Sequence, residues 1–196
     1  MTNVQTVLAR ATAMAGRRTI YWAGAGGFDP HAASPTQPLA IGQQWPTLAL
    51  EEQAMLRPLA EAAGLNVDDP GLVAPACDCS GFVCWALGIS RHPSPQHWLN
   101  TDSIWDDATG SGTQFRKIEG PALGCLVVYP QAGSGEKYGH IALVTEMTAD
   151  GRAARIVHCS ATNFASAPHD AIKITTPAAF ARQPKSVYAW FEGMEV

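Results

Sequence analysis

The spacing of apolar residues near the amino terminus predicts a helix with one face packed against the core. These positions recur at intervals of three and four residues, the period of one helical face, and are Val4, Val7, Leu8, Ala11 and Met14. Thr2 or Asn3 can cap the start of this helix, and Gly16 can end it.

Two more helices are predicted before the middle of the chain. One covers residues 47–63, where Pro58 should kink or split it. The other begins at Cys79 or Ser80 and runs to Leu87, with Gly88 as its stop. Residues 28–46 are rich in Pro, Gln, Ser and Ala and are typical of a long loop.

From residue 123 onward the pattern changes to short apolar runs typical of strands. They cover residues 126–129, 140–146, 154–158, 171–174 and 186–191. Short Gly-containing turns separate several of them, which favours antiparallel pairing. The chain therefore predicts an α+β fold, with amino-terminal helices packed on an antiparallel sheet of about five strands.

Composition narrows the class of protein. The chain has 196 residues, of which 46% are hydrophobic and 15% charged, as in a globular protein of one domain. The net charge of -4 without a Lys/Arg run argues against a nucleic-acid or membrane partner. The first residues do not form a secretory signal, so we expect synthesis in the cytoplasm. Five cysteines, an odd number, then favour free thiols over a disulfide framework.

Cys79 has the setting of a catalytic nucleophile. At the first residue of a helix, unpaired backbone N–H groups and the positive end of the dipole should lower the pKa of its thiol below about 8.5. Ser80 and Gly81 are small enough to leave the sulfur open to a substrate. The N–H of Cys79 would face the developing oxyanion.

Two histidines supply a base and a residue to orient it. His140 begins one predicted strand and His158 ends the next, with a turn at Asp150-Gly151 between them. In such an antiparallel pair the two ends lie side by side. His140 would therefore exchange protons with Cys79, and His158 would fix the tautomer of His140.

Other interpretations of these residues remain. A cysteine at a helix start is often a small buried hydrophobe, and Cys77 with Cys79 could form a redox pair. Cys77, Cys79, His140 and His158 could bind zinc, although their spacing lacks the usual paired ligands. We expect no metal and no cofactor.

Several motifs, in order along the chain, resemble the NlpC family of bacterial cell-wall cysteine peptidases in the papain-like superfamily. Asp-Cys-Ser-Gly-Phe-Val at 78–83 resembles the nucleophile signature, and Gly-His-Ile-Ala-Leu-Val at 139–144 the base strand. Residues 21–24, 121–129 and 156–160 resemble the remaining motifs. Cys125 departs from the family, which usually has Asp there.

The resemblance implies cleavage of an amide bond in peptidoglycan stem peptides, often between D-glutamate and the diamino acid. It also implies that Tyr21, Asp78 and Ser80 hold a free amine of the substrate. A carboxylate beside two hydroxyls suits an ammonium group, but Asp78 could equally serve only as the helix cap. A related acyltransferase or amidase acting on another substrate, or a degenerate binding domain, is the alternative.

The resemblance also shapes the expected organisation and setting. We expect one domain over residues 1–196, with an insertion at 28–75 that either walls the cleft or pads the outside. Trp45 in that insertion is a candidate cleft-lining residue. A wall enzyme without a signal would be injected into the periplasm of a rival cell or released as a lysis enzyme. Its partners would then be peptidoglycan, a secretion apparatus and a cognate inhibitor.

Overall fold

The computed structural model describes residues 2–195, which form a mixed helix-and-sheet fold. The helices are α1 (Val4–Thr12), α2 (Ile41–Gln44), α3 (Leu50–Ala62), α4 (Cys79–Leu87), α5 (Thr101–Thr109), α6 (Ala161–Phe164) and α7 (Ala178–Ala181). The strands are β1 (Thr2–Asn3), β2 (Ile20–Tyr21), β3 (Gln37–Leu39), β4 (Ala74–Cys77), β5 (Phe115–Ile118), β6 (Leu126–Tyr129), β7 (His140–Met147), β8 (Ala153–Cys159), β9 (Ile172–Thr175), β10 (Val187–Phe191) and β11 (Met194–Glu195). The α+β class predicted from the sequence is confirmed.

The main sheet has six strands in the order β5-β10-β6-β7-β8-β9, and every neighbouring pair is antiparallel. Five of these strands are the ones that the apolar runs predict. The sixth, β5, escapes that pattern because its middle residues, Arg116 and Lys117, are charged and exposed. A short edge strand of this kind carries little periodic signal.

Helix α4 is the central helix of the molecule. All nine of its residues are buried, and it packs against α1, β7 and β8. The side chain of Asp78 caps its first turn by accepting from the N–H of Gly81. Gly88 ends it in the left-handed region, at φ 73°, which a residue with a Cβ rarely adopts. Cap and stop together fix where Cys79 lies against the sheet.

Helix α1 also follows its apolar pattern. Asn3 caps it through a bond from the N–H of Gln5, and its apolar stripe is buried against the core. The helix ends at Thr12, which is earlier than the Gly16 stop expected from the sequence. The backbone beyond Thr12 continues as turns, and the N–H of Gly16 donates to Asp170 instead.

Residues 28–46 are more structured than the predicted long loop. They contain β3, α2 and the start of a 3₁₀ turn, and β3 joins β2 and β4 in a three-stranded sheet. The helix predicted over 47–63 is present as α3. Helix α3 continues through Pro58, so the chain is not split there. Pro58 lies on the exposed side, where the carbonyl that loses its donor can bond to water. Trp45 is buried in the apolar cluster of this segment.

The helices found within residues 2–195 are all too short or too polar to cross a membrane.

Candidate active site

Cys79 lies at the junction of β4 and α4, where the chain turns sharply from strand to helix. Asp78 is in an extended conformation, and Cys79 is the first helical residue. Its thiol is near the backbone N–H groups of Ser80 and Ile141, so it lies beside the start of β7. Only 5% of the residue is exposed.

The thiol of Cys79 is held in its neutral form, which differs from the lowered pKa expected at a helix start. Burial raises the pKa of this thiol strongly, and the nearby carboxylate of Asp78 raises it further. The N–H groups of Ser80 and Ile141 and the charge of Arg91 act in the opposite direction. Because desolvation exceeds these contributions, the dipole argument alone gives the wrong sign.

The two histidines are neighbours, as their strand positions predict. Nε2 of His140 lies 2.7 Å from Nδ1 of His158, and both side chains are buried. The pairing of β7 with β8 aligns Leu143 with Val157, which brings the two imidazoles onto one face. No hydrogen bond in the described chain joins His140 directly to the thiol of Cys79. Such contacts are often long before substrate binds.

A hydroxyl on β9 determines which nitrogen of each ring carries the proton. The hydroxyl of Thr175 donates to the carbonyl of Thr176, so its oxygen accepts from Nε2–H of His158 at 2.9 Å. Nδ1 of His158 is then an acceptor, and Nε2–H of His140 donates a hydrogen bond to it. Assigned from this network, Nδ1 of His140 carries a free lone pair and can accept a proton.

An apolar cover keeps both rings uncharged. The ring of Phe180 stacks on His140 with centroids 5.2 Å apart and an angle of 19°. Burial lowers the pKa of His140 to about 3, with a smaller contribution from His158. Burial also lowers the pKa of His158 to about 4. The resting site therefore holds a neutral thiol and two neutral imidazoles.

This histidine pair should make the fold sensitive to acid. The unfolded histidines bind protons near pH 6.5, whereas the folded pair does so only near pH 3 to 4. Unfolding therefore takes up protons in that window, and the free energy of unfolding should fall as the pH drops from 6.5 toward 4. The check is urea unfolding at several pH values for the wild type, for His140→Asn/His158→Asn, and for the exposed-site control His31→Asn. Equal slopes in wild type and double variant would contradict the assignment.

The three residues expected to hold a substrate amine lie around Cys79, but they are already engaged. Asp78 caps α4 and forms a buried ion pair with Arg91, whose Nη2 lies 2.9 Å from Oδ2. The hydroxyl of Ser80 donates to Asp78 and accepts from Arg91. The hydroxyl of Tyr21 is near the thiol of Cys79, and burial raises its pKa above the usual value.

Arg91 is the residue of the candidate site that the sequence analysis missed. It is 1% exposed and follows the end of α4, in a stretch that shows only turns. Its partners lie 11 to 66 residues away along the chain. No spacing or periodicity in the sequence signals contacts at such separations.

A pocket of about 210 Å³ opens beside Cys79. Its walls are formed by the aromatic rings of Trp98 and Tyr138 and by polar groups of α5 and of the β6–β7 loop. The residues that line it are Tyr21, Ala23, Gly24, Asp78, Cys79, Ser80, Arg91, Trp98, Asn100, Thr101, Asp102, Gln131, Tyr138 and Gly139. Trp45 and the rest of segment 28–75 do not line it. A larger pocket, about 550 Å³, lies between α1 and residues 32–36 and contains none of the candidate catalytic side chains.

The structure also bears on the zinc and redox alternatives. Among residues 2–195, no three or more His, Cys, Asp or Glu side chains converge on a point where they could share a metal ion. All five cysteines are buried and free. The thiol of Cys159 instead donates to the carbonyl of Cys77.

Comparison with known proteins gives one family. Residues 70–161 match the model of the CHAP domain. No curated protein and no solved structure matches the chain. The matched range contains Cys79, Arg91, His140 and His158, and the CHAP domain indicates a hydrolase that acts on peptidoglycan as an amidase or a peptidase.

The resemblance to cell-wall cysteine peptidases is thereby confirmed: residues 70–161 match the CHAP domain, which is found in NlpC/papain-like cysteine peptidases and amidases acting on peptidoglycan.

Proposed function

We propose that this protein is a thiol hydrolase that cleaves an amide bond in peptidoglycan stem peptides. Cys79 is the nucleophile, His140 the base and then the acid, and His158 the residue that orients His140. The observation that carries the proposal is the hydrogen-bonded series from Thr175 through His158 to His140, because it leaves an unprotonated nitrogen on the one histidine that adjoins the Cys79 turn.

The steps balance as an acyl transfer to water. The sulfur of Cys79 attacks the amide carbon while its proton passes to Nδ1 of His140. The C–N bond then breaks, the leaving amine takes that proton, and a thioester remains on Cys79. Water attacks the thioester, gives a proton to His140 and releases the carboxylic acid, and the thiol regains its proton.

The burial of the histidines supports concerted rather than stepwise charge formation. With a pKa of about 3, His140 stays a neutral imidazole at neutral pH. It gains a proton only when negative charge develops on the substrate beside it. The N–H of Cys79, at the start of α4, would donate to that charge.

We also propose that the architecture is papain-like and forms one domain. A helix that begins at the nucleophile packs on the sheet that carries the base, which supports this arrangement. Segment 28–75 would then be an insertion. It adds a separate apolar cluster and touches the β6–β7 loop through Lys137 and Glu52, 3.8 Å apart.

Thr175 should affect kcat because its hydroxyl fixes which ring nitrogens of His158 and His140 carry protons. Thr175→Val keeps the shape but leaves Nε2–H of His158 without its acceptor, so the proton can settle on the wrong nitrogen. We expect kcat to fall about 10-fold with KM unchanged. This is the lower end of the loss in activity that is usual when a residue orients a catalytic side chain without touching the substrate. Thr176→Val, which replaces an exposed neighbour, is the control. Full kcat in Thr175→Val would refute the tautomer assignment.

Product identification tests the proposed reaction. Purified sacculi are digested and the released fragments identified by mass spectrometry. We propose the bond between D-glutamate and the diamino acid as the scissile bond, so each cut should yield one new carboxylic acid and one new amine. Fragments whose acyl group has moved to another amine would identify an acyltransferase, and absence of fragments would refute hydrolysis.

Access to the wall should decide toxicity if the enzyme acts in the periplasm of a target cell. We propose that an exported form lyses a bacterial host whereas the cytoplasmic form does not, since the substrate lies outside the inner membrane. A secretion apparatus and an inhibitor protein would be its partners in that setting. Equal toxicity of both forms would point to another substrate.

A further inference from the structure

Arg91 fills the polar end of the pocket beside Cys79. Its guanidinium donates from Nη2 to Asp78 at 2.9 Å and to Ser80 at 3.0 Å. Its Nη1 donates to the carbonyls of Ala25 and Gly26 at 2.9 and 3.0 Å. A protein cation therefore occupies the position next to the Asp78 carboxylate, which the family resemblance assigns to an ammonium group of the substrate.

The carboxylate of Asp78 has no accepting position left for a second cation. Oδ1 accepts from the N–H of Gly81 and the hydroxyl of Ser80, and Oδ2 accepts from the N–H of Gly24 and from Arg91. A carboxylate offers about four such positions. A substrate amine would have to displace one of these donors and would meet a buried like charge.

The guanidinium is also held in place by its surroundings. The ring of Trp98 lies over it at 4.1 Å, and the ring of Phe28 lies at 5.8 Å. Gly81 packs so closely that a Cβ there would approach Nη1 to 2.7 Å. Moving Arg91 aside for a substrate would cost this packing and would break the buried Arg91–Asp78 ion pair.

The other carboxylate lining the pocket does not replace Asp78 as an amine receptor at this end. Asp102 lies in the first turn of α5, where the positive end of the helix adjoins it. Its Oδ1 accepts from the backbone N–H of Gln131 at 2.7 Å. Asp102 faces the wall formed by the β6–β7 loop rather than the Asp78–Ser80 pair.

We propose that Arg91 is a built-in substitute for a substrate amine, so that the enzyme takes stem peptides whose amino end is blocked. The stem peptide has this form while an amide still joins it to the glycan strand. The inference rests on the proposed function and adds to it the state of the substrate: intact wall, rather than peptides already released with a free amino terminus.

The test compares one stem peptide in two forms, with a free amino terminus and with that amine acetylated. We expect kcat/KM for the acetylated peptide to equal or exceed that for the free peptide. A preference of 10-fold or more for the free amine would overturn the inference while leaving the hydrolase intact. Cleavage of neither peptide would overturn the proposed function itself.

A variant tests the role of Arg91 directly. Arg91→Gln removes the charge and keeps part of the side chain, so a free amine can pair with Asp78. We expect the ratio of kcat/KM for free over acetylated peptide to rise about 10-fold. An unchanged ratio in folded Arg91→Gln would overturn the inference. If this variant does not fold, the comparison of the two peptides on the wild type still decides.

Discussion

Replacing Arg91 by leucine is expected to destabilise the fold by about 3–5 kcal/mol, the usual cost of removing one partner from a buried ion pair. Arg91 and Asp78 are 1% and 8% exposed, so the carboxylate left behind would be out of reach of most water. The carbonyl of Gly26 would lose its donor as well, and that of Ala25 would keep only the N–H of Asp78. Urea unfolding of the full chain at neutral pH measures the difference.

The matched control is Arg116→Leu. Arg116 also forms an ion pair, with Glu192 at 2.6 Å, but the two side chains are 56% and 42% exposed. Exposed pairs contribute about 0–1 kcal/mol. A loss in Arg91→Leu no larger than in Arg116→Leu would show that the Arg91–Asp78 pair does not hold the turn before α4.

The local features of the fold could be predicted because they depend on neighbouring residues. Asp78, Cys79 and Gly88 mark the cap, first residue and stop of α4 within a short stretch of chain. The adjacency of His140 and His158 follows from a hairpin whose turn is visible at Asp150-Gly151. In both cases alternation or capping chemistry alone fixes which side chains meet.

The remaining features depend on contacts between distant segments. Thr175 reaches His158 only because β9 pairs with β8, and the predicted strand there ended one residue short of it. Arg91 meets Ala25 in the loop after β2 and Asp78 at the turn before α4, contacts that only tertiary packing creates. The raised pKa of Cys79 follows from burial, which a motif does not reveal.

Segment 28–75 shows the same limit for a longer stretch. The Pro and Gln residues at 28–46 are typical of a loop, yet this part forms β3, α2 and the start of a 3₁₀ turn with a buried Trp45. Leu48, Leu56 and Leu65 pack against that cluster, although they do not share one clear helical period. Tertiary packing, rather than local pattern, orders this part of the chain.

Cys79→Ala is expected to abolish hydrolysis while leaving the fold in place. Only the sulfur can form the thioester, and alanine fits the first position of α4 without new contacts. Loss of a nucleophile commonly removes several orders of magnitude in turnover. The control is Cys84→Ala, which removes an equally buried thiol from the same helix, away from the pocket.

The most direct measurement is the release of soluble muropeptides from purified sacculi by wild type, Cys79→Ala and Cys84→Ala, with folding checked by circular dichroism. The proposed function predicts release by wild type and Cys84→Ala and none above background by Cys79→Ala. Release by folded Cys79→Ala, or no release by the wild type, would contradict the assignment of Cys79 as the nucleophile of a peptidoglycan hydrolase.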